Sequence, residues 1–298
     1  MSNDDYNFSW RKRYFKKLKR GHGEWWNWNY HNFIKDMVMV SSCDPDKISL
    51  DIGCSKGRFT GWLAKLSHRV IAIDPDHSVT NFKNHWQFWW CEPQRNKTIY
   101  MSTAVGDYQT IGTYHEYKDT STGKDDTGRG SLLHNIADPN ELILSKTTEI
   151  TIEIVDNLVC QPVGFIKIDT EGYDLNIIRG ARRVIRENRP IIVLEPDINL
   201  LIINELDEIG YDIWPLGWPL AGPMTDLNIC RANNRRLLWG DLLAIPKEKS
   251  HSIIKNIQEA VNPYICYTTT QIDTEFDYNE NVHWVSNHLY NLFRKRYT

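Results

Sequence analysis

The feature that most constrains this chain is a short strand running into a glycine turn and out into a helix, with an acid ending the next strand. Residues 48–53 read ISLDIG, and the chain continues as Asp51-Ile52-Gly53-Cys54-Ser55-Lys56-Gly57, a D-x-G-x-x-x-G pattern. Residues 58–67 then place Phe59, Trp62, Leu63 and Leu66 on one helical face, at i, i+3, i+4 and i+7. RVIAIDPD (69–76) is a second strand, closed by a proline turn and carrying Asp74. Strand, turn, helix and strand in that order predict an α/β domain with a parallel sheet.

Glycine lets backbone turn tightly and lie against a ligand. An acid at the end of the following strand is placed to accept the hydroxyl hydrogen bonds of a ribose. The spacing is neither the G-x-G-x-x-G dinucleotide pattern nor the phosphate loop G-x-x-x-x-G-K-[ST]. It fits a nucleoside with a compact charged tail, S-adenosylmethionine, whose ammonium group would lie near Asp51, directly or through water.

Further along, TIYMSTAVGD (98–107) reads as a third strand after an aromatic-rich helix at 77–90. The segment 119–130 (DTSTGKDDTGRG) reads as a mobile surface loop or lid. EITIEIVD (149–156) is an extra strand and GFIKID (164–169) a core strand. The helix 174–188 has Ile177, Ala181, Val184 and Ile185 on its buried face, and Arg179, Arg182, Arg183 and Arg186 on a solvated one. RPIIVLEP, GYDIWPL and DLLAIP are late strands, and helices are expected near 252–261 and 282–294. The fold expected is a doubly wound α/β sheet, mostly parallel with late antiparallel strands. It occupies 48–247, between a basic, aromatic extension at 1–47 and a helical one at 248–298.

Composition sharpens what this can be. Apolar residues make up 41% and charged ones 24%, the balance of a soluble enzyme. No apolar run is long enough to cross a bilayer, and the start MSNDDYNFSW lacks a secretory apolar segment. The 6 cysteines include no C-x-x-C pair, which argues against structural zinc or disulfides and for the reducing cytoplasm. The net charge of −3 averages an acidic body with the basic arm RKRYFKKLKR at 11–20. Many of the 12 tryptophans cluster at Trp25–Trp28 and Trp86–Trp90, as packing or as the wall of an acceptor pocket.

The runs SLDIGCSKGRF, VIAIDPDHSV, STAVGD and VGFIKIDTEGYDLNIIRGARRVI, with RPIIVLEP, resemble the FkbM family of S-adenosylmethionine-dependent methyltransferases. The resemblance covers roughly 48–246, and I-K-I-D-x-E-G is its most specific piece. It implies the class I methyltransferase (Rossmann-like) fold and O-methylation of a hydroxyl on a sugar or natural product. Positions carried over for cofactor binding are Asp51, Gly53 and Gly57 in the glycine loop, Asp74 after the second strand, and Ala104 and Asp107 near the adenine end. Cys54 and Ser55 complete the candidate cofactor loop, and Cys54-Ser55-Lys56 depart from its commoner small, apolar filling.

Methyl transfer from a sulfonium expels a neutral leaving group, so catalysis is positioning plus removal of the acceptor's proton. An aliphatic hydroxyl needs a base or a divalent metal for this. Asp169, Glu171 and Glu195 stand at the carboxyl ends of middle strands. Strand alternation puts Lys167 on the face of Asp169, and a lysine in an apolar strand needs a carboxylate partner, for which Glu195 is the expected choice. In one reading Asp169 is the base, oriented by Glu171 and Glu195; in another, Asp169 and Glu195 hold Mg²⁺ or Mn²⁺. A third makes the set a structural ion pair and helix cap. His31, His115 and His134 read as solvated, and GHGE (21–24) is not a metal site.

The strand ending IDTEG lacks the N-P-P-Y of amino-methylating enzymes, and Cys160-Gln161-Pro162 is not the P-C-Q nucleophile of cytosine methylation. Oxygen is the expected acceptor, on a small molecule or glycan. Two alternatives remain: an RNA methyltransferase gripping phosphates through the 11–20 arm and Arg294-Lys295-Arg296, and a non-catalytic binding module at a membrane surface.

Overall fold

The computed structural model describes residues 35, 38–39, 41–76, 95–133, 140–195, 200–216 and 241–261. The chain divides into a compact unit, Met39–Asn256, and a second formed by Met1–Val38 with Ile257–Thr298. Every strand among the described residues belongs to the first. The basic arm, both tryptophan clusters, the expected helices at 77–90 and 282–294, and His31 and His134 lie outside the described residues.

The main sheet grows from the strand–turn–helix–strand unit that opens the domain. β1 (Ile48–Ile52) leads through the glycine loop into α1 (Arg58–Leu66) and then β2 (Arg69–Ile73). β3 (Thr98–Met101) extends this side, and β8 (Val163–Ile168) and β9 (Ile191–Leu194) the other. β10 (Tyr211–Pro215) and β11 (Leu242–Pro246) finish a seven-stranded sheet in the order β10-β11-β9-β8-β1-β2-β3. Within this sheet β3, β2, β1, β8 and β9 pair in parallel, and β11 runs antiparallel to both neighbours. This is the Rossmann-like order of class I methyltransferases, mostly parallel with a reversed late strand as the sequence led us to expect. The all-apolar runs of β9 and β11 follow from burial along their whole length.

Strand order reverses at β1: the chain leaves it toward β2 and β3, then returns on its far side as β8. In open α/β sheets that point, at the carboxyl ends of the strands, is where ligands bind.

Between β3 and β8 the chain builds a second sheet that sequence reading did not anticipate. TIYMSTAVGD is not one strand, because β4 (Ala104–Gly106) leaves the main sheet and pairs with β7 (Leu142–Ile154). β5 (Thr110–Asp119) and β6 (Asp125–Ser131) complete the order β4-β7-β5-β6. The segment expected as a mobile loop at 119–130 is therefore a turn and an edge strand. Asp119 Oδ1 accepts from the backbone N–H groups of Ser121 (2.9 Å) and Thr122 (2.8 Å), closing the turn. Arg129 ties β6 down by pairing with Asp126 at 2.8 Å and Glu141 at 2.9 Å. Backbone pairing at an edge accepts polar side chains, which is why their abundance misled. His115, expected to be solvated, is buried on β5.

After α2 (Val155–Leu158) and β8, the helix expected at 174–188 is two, α3 (Asp174–Gly180) and α4 (Arg182–Asn188), broken at Ala181. A side chain on Gly180 would overlap the Gly106 carbonyl, so α3 packs against β4 at backbone distance. Ile177, Ala181, Val184 and Ile185 are buried as expected. Three of the four exposed arginines are engaged: Arg179 and Arg182 pair with Glu205 of α5 (Leu200–Glu208), and Arg183 donates to the Val159 carbonyl. α6 (Lys247–Val261) follows β11 directly. Among the described residues, no helix is long and apolar enough to cross a membrane.

Candidate active site

The glycine loop after β1 is held by three left-handed residues, Gly53 (φ 73°), Ser55 (φ 41°) and Gly57 (φ 74°). The N–H groups of Gly53 and Cys54 donate to the Ile73 carbonyl at 2.9 and 3.3 Å, and Gly57 N–H closes the turn on the Cys54 carbonyl. Cys54 is buried beside Ala72 and Tyr100, and burial pushes its thiol well above the ordinary value. A Cβ on Gly53 would overlap the carbonyl oxygen of Asp169, so the turns after β1 and β8 stand back to back.

Asp74 is bound into this loop. Its Oδ2 accepts from Ser55 N–H at 2.8 Å and its Oδ1 from Asp76 N–H at 2.9 Å. Burial raises its pKa to about 6, against the lowering effect of those two N–H groups. An open cleft of about 610 Å³ begins here and is lined by Gly53, Ser55, Asp74, Ala104, Asp169 and Glu171. The second sheet supplies an opposite lining that includes Tyr114 and Ser131. Of the expected cofactor residues, Gly53, Ser55, Asp74 and Ala104 thus line the cleft. Asp51, Cys54 and Gly57 are buried outside that lining, and Asp107 accepts a hydrogen bond from Asn176 Nδ2 at 3.2 Å.

Lys167 is where the geometry departs furthest from expectation. Its ammonium donates to the Gly53 carbonyl at 2.8 Å and lies 3.1 Å from Asp169 Oδ2 and 3.6 Å from Asp51 Oδ1. Its carboxylate partners are therefore Asp169 and Asp51, not Glu195. The reason is register: Asp51 sits directly beside Lys167 across β1 and β8, whereas its neighbour on β9 is Val193. Glu195 is exposed at the end of β9, with its N–H on the Ile168 carbonyl. The Phe59 ring centre lies 5.2 Å from the ammonium, adding a cation–π contact. Burial opposes the charge on Lys167, but Asp169 and Asp51 outweigh it and hold its pKa above the ordinary lysine value. Asp51 is wholly buried and takes a hydrogen bond from Thr60 Oγ1; burial raises its pKa while Lys167 draws it down.

Asp169 and Glu171 both line the cleft, on the turn that precedes α3. Glu171 is left-handed (φ 51°), a costly conformation for a residue with a Cβ. Ser131 Oγ secures it by donating to the Glu171 carbonyl at 2.9 Å, while accepting from Leu133 N–H at 3.0 Å.

Sequence reading missed Ser131, Tyr114, Thr170 and Asp174. The first two sit on the unanticipated sheet and carried no signal. Thr170 lines the cleft between two acids already singled out. Asp174 looked like an ordinary acid in a helix first turn, but only 1% of its surface is exposed. Among the described residues, no group of three or more His, Cys, Asp or Glu side chains is arranged to hold a metal ion.

Residues 51–217, more than half of the chain, match the family profile described as the methyltransferase FkbM domain. No curated protein matches the chain. Among solved structures, it is similar to the methyltransferase FkbM from Methylobacillus flagellatus KT, with 19% identity, 67% of this chain and 44% of that chain covered, and a TM-score of 0.42. The match thus spans less than half of that protein. An rRNA methylase from Streptococcus thermophilus is 13% identical over 72% of this chain and 92% of its own, with a TM-score of 0.35. SMU.1697c from Streptococcus mutans, solved in complex with SAH, is 11% identical over 72% and 95%, with a TM-score of 0.38. With its glycine loop, its I-K-I-D-x-E-G turn and the strands between them inside the matched region, the chain belongs to the FkbM methyltransferase family.

Proposed function

We propose that the cleft binds S-adenosylmethionine and serves transfer of its methyl group to a hydroxyl of a sugar, glycan or natural product. The observation that carries this reading is Asp74, a carboxylate in the cleft wall at the end of β2. Each of its oxygens accepts one backbone N–H, which leaves acceptor capacity on both for two ribose hydroxyls. Gly53, Ser55, Asp74 and Ala104 would hold the nucleoside; Asp51, Cys54, Gly57 and Asp107 shape the loops behind them.

When bound, the cofactor supplies an electrophilic methyl group on a sulfonium that departs as a neutral thioether. The chain's own work is then to orient the acceptor and take its proton. Asp169 is assigned as the proton acceptor, held by Lys167. Glu171, and Glu195 at the end of the next strand, are assigned to orienting that base. Residues 48–247 form the catalytic domain in this reading, with 1–47 and 248–298 as extensions. The free cysteines Cys43, Cys54 and Cys160 are in keeping with a reducing, cytoplasmic setting.

The test is calorimetry with S-adenosylmethionine, followed by incubation of the labelled cofactor with a panel of glycans, nucleotides, polyketides and RNA. Binding that weakens in Asp74→Ala, with label appearing on a hydroxyl of a small molecule or glycan, is the expected result. Absence of binding overturns the cofactor assignment. Label appearing on RNA alone, in a salt-sensitive reaction lost on deleting residues 1–20, overturns the acceptor assignment.

A further inference from the structure

Asp174 is a buried carboxylate that the reaction as assigned leaves unused. It opens α3 with 1% of its surface exposed. Its Oδ1 accepts from Thr170 Oγ1 at 3.2 Å, and its buried Oδ2 has no hydrogen-bond partner among the described residues. Thr170 belongs to the cleft wall, and a buried carboxylate oxygen without a hydrogen-bond partner is costly to the fold.

The groups around it define what it can do. Asp169 before the turn and Lys167 on β8 both act on it electrostatically. Burial pushes its pKa up to about 7, and the charge of Asp169 adds to the rise. Asp51 on β1 stands behind Lys167, and Asp107, past β4, is tied to Asn176 on α3. Lys167, 3.1 Å from Asp169, favours the charged form of that carboxylate and so weakens it as a base. A second carboxylate close by has the opposite effect, and such coupling is mutual.

We propose that Asp174 is a positioning residue for proton transfer: when ionised it returns to Asp169 the basicity that Lys167 takes away, and it fixes Thr170 at the cleft wall. The proposal rests on Asp169 being the proton acceptor. In that step the acceptor hydroxyl gives its proton to the Asp169 carboxylate. Its oxygen bonds to the methyl carbon as the carbon–sulfur bond breaks, with that electron pair left on sulfur, and Asp169 then releases the proton to solvent.

The test is carboxyl ¹³C NMR of the full chain without cofactor, from pH 4 to 9, in wild type, Asp174→Asn and Asp169→Asn. A carboxyl titrating at about 7 is expected, lost in Asp174→Asn, with a midpoint about one unit or more lower in Asp169→Asn. Titration of Asp174 in the ordinary carboxylate range, or a midpoint unmoved in Asp169→Asn, overturns the proposal. If Asp174→Asn does not fold, the Asp169→Asn shift decides. Calorimetry with SAH separates the two readings. Without SAH binding to the wild type the methyl-transfer reading falls and takes the proposal with it; binding with uncoupled carboxyls sinks the proposal alone. With an acceptor from the panel, Asp174→Asn moves the acidic limb of the kcat profile to lower pH, lowers its plateau about tenfold and leaves KM for the cofactor unchanged; Asp174→Glu restores the profile. An unchanged kcat profile overturns it.

Discussion

Gly53 and Asp169 touch through their backbones: there is no room for a side chain on the first without overlap with the carbonyl oxygen of the second. The loop assigned to the cofactor and the turn assigned to the chemistry therefore cannot move independently. Gly53→Ala adds a methyl group against that carbonyl at φ 73°, where an L-residue alone costs roughly 1–2 kcal/mol. We expect a loss of more than ~2 kcal/mol, seen as a melting temperature lower by several degrees. Cofactor affinity should fall together with it. An Ala variant as stable as wild type would contradict this packing.

Asp74→Ala removes two hydrogen-bond acceptors from the cleft wall. At about 1.5–3 kcal/mol for a hydrogen bond to a charged group, S-adenosylmethionine affinity should fall by tenfold or more. The pKa of Asp74, raised by burial to about 6, gives the sign of the pH effect. The carboxylate accepts two hydroxyl protons, whereas its protonated form accepts fewer. Affinity should thus hold above pH 6 and decline as pH falls through it, with the decline absent in Asp74→Ala. Calorimetry across pH 5 to 8 measures both.

Lys167→Met strips the compensating charge from Asp51, which has no exposed surface. Breaking a buried pair from one side costs about 3–5 kcal/mol. Chemical denaturation should show a loss of that order near neutral pH, smaller in acid, where Asp51 is protonated. Asp51→Asn should cost less, because Lys167 keeps Asp169 and the Gly53 carbonyl.

Ser131→Ala unclasps the left-handed Glu171 and leaves Leu133 N–H without its acceptor. A loss of about 1–3 kcal/mol is expected. Hydrogen exchange should quicken at the turn around Glu171 more than in β1 or β8.

How far the sequence reached depended on what kind of information each feature needed. The ends of β1, β2 and β8 were visible because buried parallel strands are apolar runs closed by glycine or acid. The cleft-lining positions Gly53, Asp74 and Asp169 followed from that punctuation. The partner of Lys167 did not, because lateral strand order is a property of the folded sheet: β1, far away in sequence, lies beside β8. The second sheet was hidden by its own edge, where β6 has the polar composition of a loop but the pairing of a strand. The break at Ala181 had no local cause either, since it accompanies the close approach of Gly180 to Gly106.

The pairing of Asp51 with Lys167 has a consequence for how the two halves of the sheet can meet. These residues sit on the two strands between which the chain order reverses, each buried and each carrying charge. Sliding β8 along β1 by one residue would turn one of them to the other face and strand a bare charge in an apolar interior. The observed register sets Lys167 beside Asp51, and it is the one that brings Asp169 up against Gly53. The sheet carries its own proofreading: a chain that mispairs its two central strands is penalised in the core before it can present a misaligned cleft.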